Sequence, residues 1–130
     1  MKIEHIAFWV KDLEETKRFY TTYFKLKSNE KYINSEKGFE SYFLDFEEEE
    51  TTRIEIMQMP EINENNQVRG KLYGYAHLAF SVGSKKEVDS LTERLRLDGY
   101  KIIGEPRTTG DGYYESVIED DEGNWIEITV

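Results

Sequence analysis

Cysteine is absent from the 130 residues, which removes a disulfide framework, a thiol nucleophile and any thiolate zinc site. Basic clusters are nearly absent as well. Seventeen Lys and Arg face 27 Asp and Glu, the net charge is −10, and no basic run exceeds Lys85–Lys86. Phosphate backbones and anionic lipid surfaces call for the opposite field, so neither nucleic acid nor a membrane surface is an expected partner. No apolar run approaches the roughly 18 residues of a spanning helix. Met1-Lys2-Ile3-Glu4-His5 passes straight into a strand pattern rather than into the apolar core of a secretory leader. A cytoplasmic location is the expectation.

What is present is aromatic: seven Phe, nine Tyr and two Trp, the side chains with the largest burial per residue. Residues 1–130 therefore suffice for one folded domain with a real core. Residues 2–10 alternate, with Ile6, Phe8 and Val10 on one face and His5, Ala7 and Trp9 on the other. Asp12-Leu-Glu-Glu15 then reads as a capping box. Leu13, Phe19, Tyr20, Tyr23 and Phe24 follow at helical spacing, which predicts a helix from 13 to about 25. Strands are expected at roughly 27–33, 39–46 and 52–58, separated by the turn through Gly38 and by the acidic run Glu47–Glu50.

A polar connector, about 59–74, carries Pro60, Asn63, Asn65, Asn66 and Gly70, and after it the pattern restarts. His77-Leu-Ala-Phe-Ser-Val82 repeats His5-Ile-Ala-Phe-Trp-Val10 at an offset of 72 residues. The same offset carries Asp12 onto the capping residue Ser84, Phe19 and Tyr23 onto the helix stripe Leu91 and Leu95, and Ile54-Glu55-Ile56 onto Ile126-Glu127-Ile128. Gly99 suits a left-handed helix end. A constant offset across strand, cap, helix and closing strand marks an internal repeat. The reading is an α+β fold: two tandem βαβββ modules, about 1–58 and about 75–130, forming a cupped mixed β-sheet with the helices outside.

Both histidines of the chain, His5 and His77, occupy the same position in their repeats. They lie on the strand face opposite the large apolar residues. Each repeat also sets one carboxylate, Glu55 or Glu127, between two isoleucines on its last strand, and alternation turns that carboxylate to the same inner side. Two carboxylates that converge in a concave site repel and lose solvation unless a cation compensates them. Two imidazole nitrogens with two carboxylate oxygens suit one divalent transition metal per site, Ni, Co, Zn, Mn or Fe, and are too nitrogen-rich for Ca or Mg. Four protein ligands on an octahedral ion would leave two positions for water or substrate.

These motifs, together with Glu119-Asp-Asp-Glu-Gly-Asn-Trp-Ile-Glu127, resemble the glyoxalase I / bleomycin resistance protein / extradiol dioxygenase superfamily, or vicinal oxygen chelate family, over essentially the whole chain. The resemblance implies His5, Glu55, His77 and Glu127 as metal ligands. Such a His/Glu/His/Glu set is that of a glyoxalase-like, lactoylglutathione lyase-like member. The resemblance further implies a small-molecule substrate and a homodimer whose sites draw ligands from both subunits. Glutathione-dependent relatives place Arg four residues after the first metal His and Asn four residues after the first metal Glu. Here those positions hold Trp9 and Met59, and an apolar pair cannot replace a guanidinium–carboxylate contact. Trp9, Met57 and Met59 share the parity of the ligands and can line an apolar or aromatic pocket; Arg53 can anchor an anionic substrate. Tyr73, Tyr75, Tyr113 and Tyr114 are expected to pack in the core or an interface.

The activity expected is metal-dependent lyase or isomerase chemistry: proton transfer next to a chelated carbonyl, with Glu127 or, by pseudo-symmetry, Glu55 as base. One alternative is an extradiol ring-cleaving dioxygenase using His5, His77 and Glu127 on Fe(II). Another is a non-catalytic small-molecule or antibiotic-binding resistance protein. Glu55 argues against the first, and the complete ligand set argues against the second.

Overall fold

Alternation at the start of the chain becomes the five-residue strand β1 (His5–Trp9). The computed structural model describes residues 4–47, 52–60, 62, 70, 75–110 and 112–130, and the chain divides into two compact units, Met1–Asn65 and Asn66–Val130.

In the first unit, Asp12 caps α1 (Leu13–Tyr23) by accepting from the Glu15 amide at 2.9 Å. The Glu15 carboxylate meets Arg18 one turn on. Strands β2 (Lys27–Ser28), β3 (Tyr32–Asn34), β4 (Phe39–Asp45) and β5 (Arg53–Gln58) complete the module. β5 lies between β1, which it pairs in parallel, and β4, which it pairs antiparallel, while β2 and β3 both lie along β4. The single strand expected at 27–33 is thus interrupted. Lys27 and Ser28 face Asp45 and Leu44, whereas Tyr32 faces Ser41, so the edge carries one residue more than its partner. Asn29 spans the irregularity, its side-chain oxygen accepting from the Phe43 amide at 2.8 Å and its own amide donating to the Phe43 carbonyl at 3.1 Å.

One face of this sheet is packed by α1. Leu13, Phe19 and Tyr20 of the helix are buried with Tyr42, Leu44, Ile54 and Ile56 of the strands, and each such aliphatic or aromatic side chain contributes roughly 1.5–3 kcal/mol by leaving water. Tyr23 and Phe24, expected in the same stripe, are half-buried. The other face carries His5, Ala7 and Trp9 beside Arg53, Glu55 and Met57, in the register His5↔Arg53, Ala7↔Glu55, Trp9↔Met57.

The second unit repeats the plan with β6 (Leu78–Ser81), α2 (Lys85–Leu97), β7 (Ile102–Thr108), β8 (Tyr114–Glu119) and β9 (Trp125–Thr129), sheet order β6-β9-β8-β7. Ser84 caps α2 by accepting from the Glu87 amide at 3.2 Å, and Gly99 leaves it at φ +93°. The buried residues of α2 are Val88, Thr92 and Leu95, while Leu91 is only half-buried. Thr92 tolerates the core because its hydroxyl lies 2.6 Å from the Val88 carbonyl and 2.6 Å from the Ser116 hydroxyl. The turn into β9 is organised by buried Asp120, whose carboxylate accepts from the amides of Glu122 (2.9 Å) and Asn124 (2.8 Å) and from the Asn124 side chain (2.9 Å). The register Leu78↔Ile126, Ala79↔Glu127 reproduces, 72 residues on, that of Ile6↔Ile54, Ala7↔Glu55.

Each unit is a mixed sheet with one helix, and the α+β fold of tandem βαβββ modules is therefore the observed one. Among the described residues no helix is long and apolar enough to cross a membrane. Tyr73 and Glu48–Glu50 lie outside the described residues. Tyr75 and Tyr113 are exposed, and the Tyr114 hydroxyl donates to Asp89 of α2 at 2.7 Å.

Candidate functional site

Alanine stands directly across from each candidate carboxylate: Ala7 opposite Glu55 and Ala79 opposite Glu127. With only a methyl group there, the imidazole two residues earlier can lean over the same strand pair toward the carboxylate. His5 Nε2 stands 3.8 Å from Glu55 Oε2, and His77 Nε2 stands 3.4 Å from Glu127 Oε2. Exposure matches too, with the imidazoles at 39% and 43% and the carboxylates at 15% and 18%. Both separations exceed the usual N–H···O hydrogen-bond distance of about 2.9–3.0 Å. The 3.4 Å of His77–Glu127 fits a different relation, and the 3.8 Å of His5–Glu55 stands a few tenths of an ångström outside it. Two donor atoms on one metal ion, each at about 2.0–2.2 Å and roughly 90–110° apart, stand roughly 3.0–3.5 Å from each other. The chemistry of each pair, one neutral imidazole nitrogen and one carboxylate oxygen, suits a divalent transition metal. Among the described residues no group of three or more His, Asp or Glu is gathered to metal-holding geometry; the donors stand as two pairs, one per unit.

The surroundings of the pairs differ. Glu4 accepts a hydrogen bond from His5 Nδ1 with one carboxylate oxygen and from Arg53 with the other, and these two partners, His5 first, hold its carboxyl below the usual range. Arg53 also donates its backbone amide to the Glu4 carbonyl at 3.0 Å, lies over the Phe43 ring at 4.2 Å, and reaches Asp45 at 3.9 Å. Phe43 sits opposite Glu55 and presents itself edge-on to the His5 ring at 5.4 Å. Arg53, read from the sequence as an anchor for an anionic substrate, is thus engaged by its own chain. Glu4 and Phe43 escape a reading based on the repeat, because the second module has Ala76 and Val117 in their places. That difference was the available signal.

Trp9 faces Met57 across the strands and meets Phe39 edge-on at 6.1 Å, with Tyr32 next to Phe39 at 6.0 Å. Met59 follows β5 directly and is half-buried. In the second unit Trp125 takes the place of Arg53, shares the parity of Glu127, and packs so closely on Gly70 that a Cβ there would lie 2.2 Å from the indole. Its Nε1 is buried with no hydrogen-bond partner among the described residues.

The profile of the Glyoxalase/Bleomycin resistance protein/Dioxygenase superfamily matches residues 2–128. The chain is 28% identical over 129 residues to the uncharacterized protein YqjT of Bacillus subtilis (strain 168), covering 97% of this chain and 96% of that one. Among solved structures it is similar to glyoxalase I from Zea mays (TM-score 0.81, 22% identity), covering 98% of this chain and 44% of the maize one, so it spans less than half of that enzyme. It is likewise similar to the trypanothione-dependent glyoxalase I of Leishmania major (TM-score 0.79, 22% identity, 99% of this chain and 86% of that one) and to a glyoxalase family protein from Enterococcus faecalis (TM-score 0.78, 21% identity, 99% and 97%). With the duplicated strand–helix–strands unit, the paired His and Glu, and a family match over nearly every residue, the chain belongs to the Glyoxalase/Bleomycin resistance protein/Dioxygenase superfamily.

Proposed function

We propose that this protein is a metal-dependent enzyme of glyoxalase type, acting as a cytoplasmic homodimer on a small carbonyl substrate. In this reading His5, Glu55, His77 and Glu127 hold one divalent transition metal per site, Ni, Co, Zn, Mn or Fe, each site combining two His–Glu pairs from one chain or from two. The observation that carries the reading is the recurrence of the His–Glu pair, at 3.8 and 3.4 Å, in two modules that otherwise differ around it. Nothing obliges a structural histidine to recur with its carboxylate in both modules.

When bound, the ion supplies Lewis-acid polarisation of the substrate's carbonyl oxygen. Glu127 would remove the proton from the hydroxyl-bearing carbon next to that carbonyl and deliver it to the carbonyl carbon, while the hydroxyl proton passes to the carbonyl oxygen, so that the substrate is isomerised with no oxidant or reductant. Glu55 is the equivalent base by the repeat's symmetry. Trp9, Met57 and Met59 offer an apolar wall rather than the polar contacts that a peptide-like thiol would require. A 2-oxoaldehyde adduct of a thiol other than glutathione is the substrate class this favours.

Elemental analysis of tag-free protein, followed by titration of the metal-free chain with Co, Ni and Zn, tests the ligand set. About one ion per site is expected, and its loss in His5→Ala and in His77→Ala. A chain that holds and takes up no metal overturns the reading in favour of a binding module. Isomerisation of adducts formed with a panel of thiols is the activity assay, in which Glu127→Gln lowers kcat by roughly 10²–10⁴-fold. Catechol-dependent oxygen uptake would move the protein to the dioxygenase branch instead.

A further inference from the structure

The two imidazoles are not held alike. His5 Nδ1 donates to the Glu4 carboxylate, and its Nε2 is left toward Glu55 at 3.8 Å. A neutral imidazole has one proton to place, and a carboxylate at Nδ1 fixes it there, which leaves the Nε2 lone pair to a metal. Carboxylate–histidine pairs of this kind orient metal ligands and raise their basicity.

Glu4 is itself held in place. Arg53 takes its second carboxylate oxygen and donates a backbone amide to its carbonyl at 3.0 Å. Arg53 rests on Phe43 at 4.2 Å, and Phe43 meets the His5 ring at 5.4 Å, so that three side chains close a circuit with one imidazole. In the second module Ala76, Trp125 and Val117 stand where Glu4, Arg53 and Phe43 stand in the first, and no acceptor meets His77 Nδ1 among the described residues.

We propose that Glu4 is a positioning residue: it locks His5 as the Nδ1–H tautomer with Nε2 directed to the metal, and makes His5–Glu55 the pre-organised half of the ligand set. The inference rests on the metal reading above for its second part. Its first part concerns the metal-free chain alone.

The test therefore has two arms. Long-range ¹H–¹⁵N correlation on metal-free, ¹⁵N-labelled protein at a pH where the imidazoles are neutral reads the tautomer of each histidine, with His77→Gln for assignment. His5 is expected as Nδ1–H in the wild type and to revert toward the Nε2–H form in Glu4→Ala, while Glu4→Gln, which keeps an acceptor oxygen, retains Nδ1–H. Titration with Co²⁺ or Zn²⁺ alone is expected to show affinity lower by roughly 10–100-fold in Glu4→Ala, and a smaller loss in Glu4→Gln. An unchanged His5 tautomer, or an unchanged metal affinity, in Glu4→Ala would overturn the role of Glu4. Should the wild type bind no metal yet show His5 as Nδ1–H, the metal reading falls and the hold of Glu4 on His5 stands.

Discussion

Thr16 of α1 is fully buried, and its hydroxyl has no hydrogen-bond partner among the described residues. The repeat places Val88 at the equivalent position. Thr16→Val removes an unsatisfied polar atom while keeping both the shape and the β-branched backbone preference. Stability is expected to rise by about 1 kcal/mol, read from urea denaturation. Glu14 behaves in the opposite sense. Hydrogen bonds from Lys31, then Tyr42 and Lys17, lower its carboxyl from 4.5 to about 2. A folded-state value below the unfolded one contributes stability that is complete above pH 4.5 and is lost as the pH falls toward 2. With its side chain 55% exposed, solvent screens the gain well below what the shift alone implies. In Glu14→Gln the fall of Tm over that pH range is expected to become shallower than in the wild type.

At the scale of elements, the turn that delivers β9 decides where Glu127 lies. Asp120→Ala leaves the amides of Glu122 and Asn124 without their acceptor and is expected to cost about 2–3 kcal/mol, visible as a lower urea midpoint with an unchanged slope. Most elements were legible because cap, stripe and closing strand obey one offset of 72 residues. The middle of each module was less so. α2 is two residues longer than α1, so the helix ends at Phe24 and Asp98 and the strand positions Phe43 and Val117 are related by an offset of 74 instead. The left-handed residue after α1 is Lys25 at φ 57°, where α2 has Gly99, and a lysine gives no sign of such a turn. The bulge at Asn29 was hidden for a related reason: it depends on a side chain standing in for a backbone group, which alternation does not register. At the site, the His–Glu pairs followed from parity, whereas the circuit through Glu4, Arg53 and Phe43 did not, since it is peculiar to one module and depends on which ring nitrogen meets which oxygen.

For the whole molecule, a chain of net charge −10 carries a field that favours cations. If the ligand set is that of His5, Glu55, His77 and Glu127, metal added to metal-free protein at about 100 times Kd stabilises it by roughly 2.7 kcal/mol. The corresponding rise in Tm is expected in thermal melts with Co²⁺, Ni²⁺ or Zn²⁺ and is expected to vanish with a chelator or in the Glu55→Ala/Glu127→Ala double variant. The chain's two tryptophans fall one to a unit, Trp9 on the strand of His5 and Trp125 on the strand of Glu127, each with the parity of that His or Glu. Each half of the protein therefore carries its own optical probe beside its own His–Glu pair. Replacing Trp9 with Phe leaves emission from the second unit alone, and replacing Trp125 leaves that of the first, so quenching by a paramagnetic ion can be followed separately in the two units.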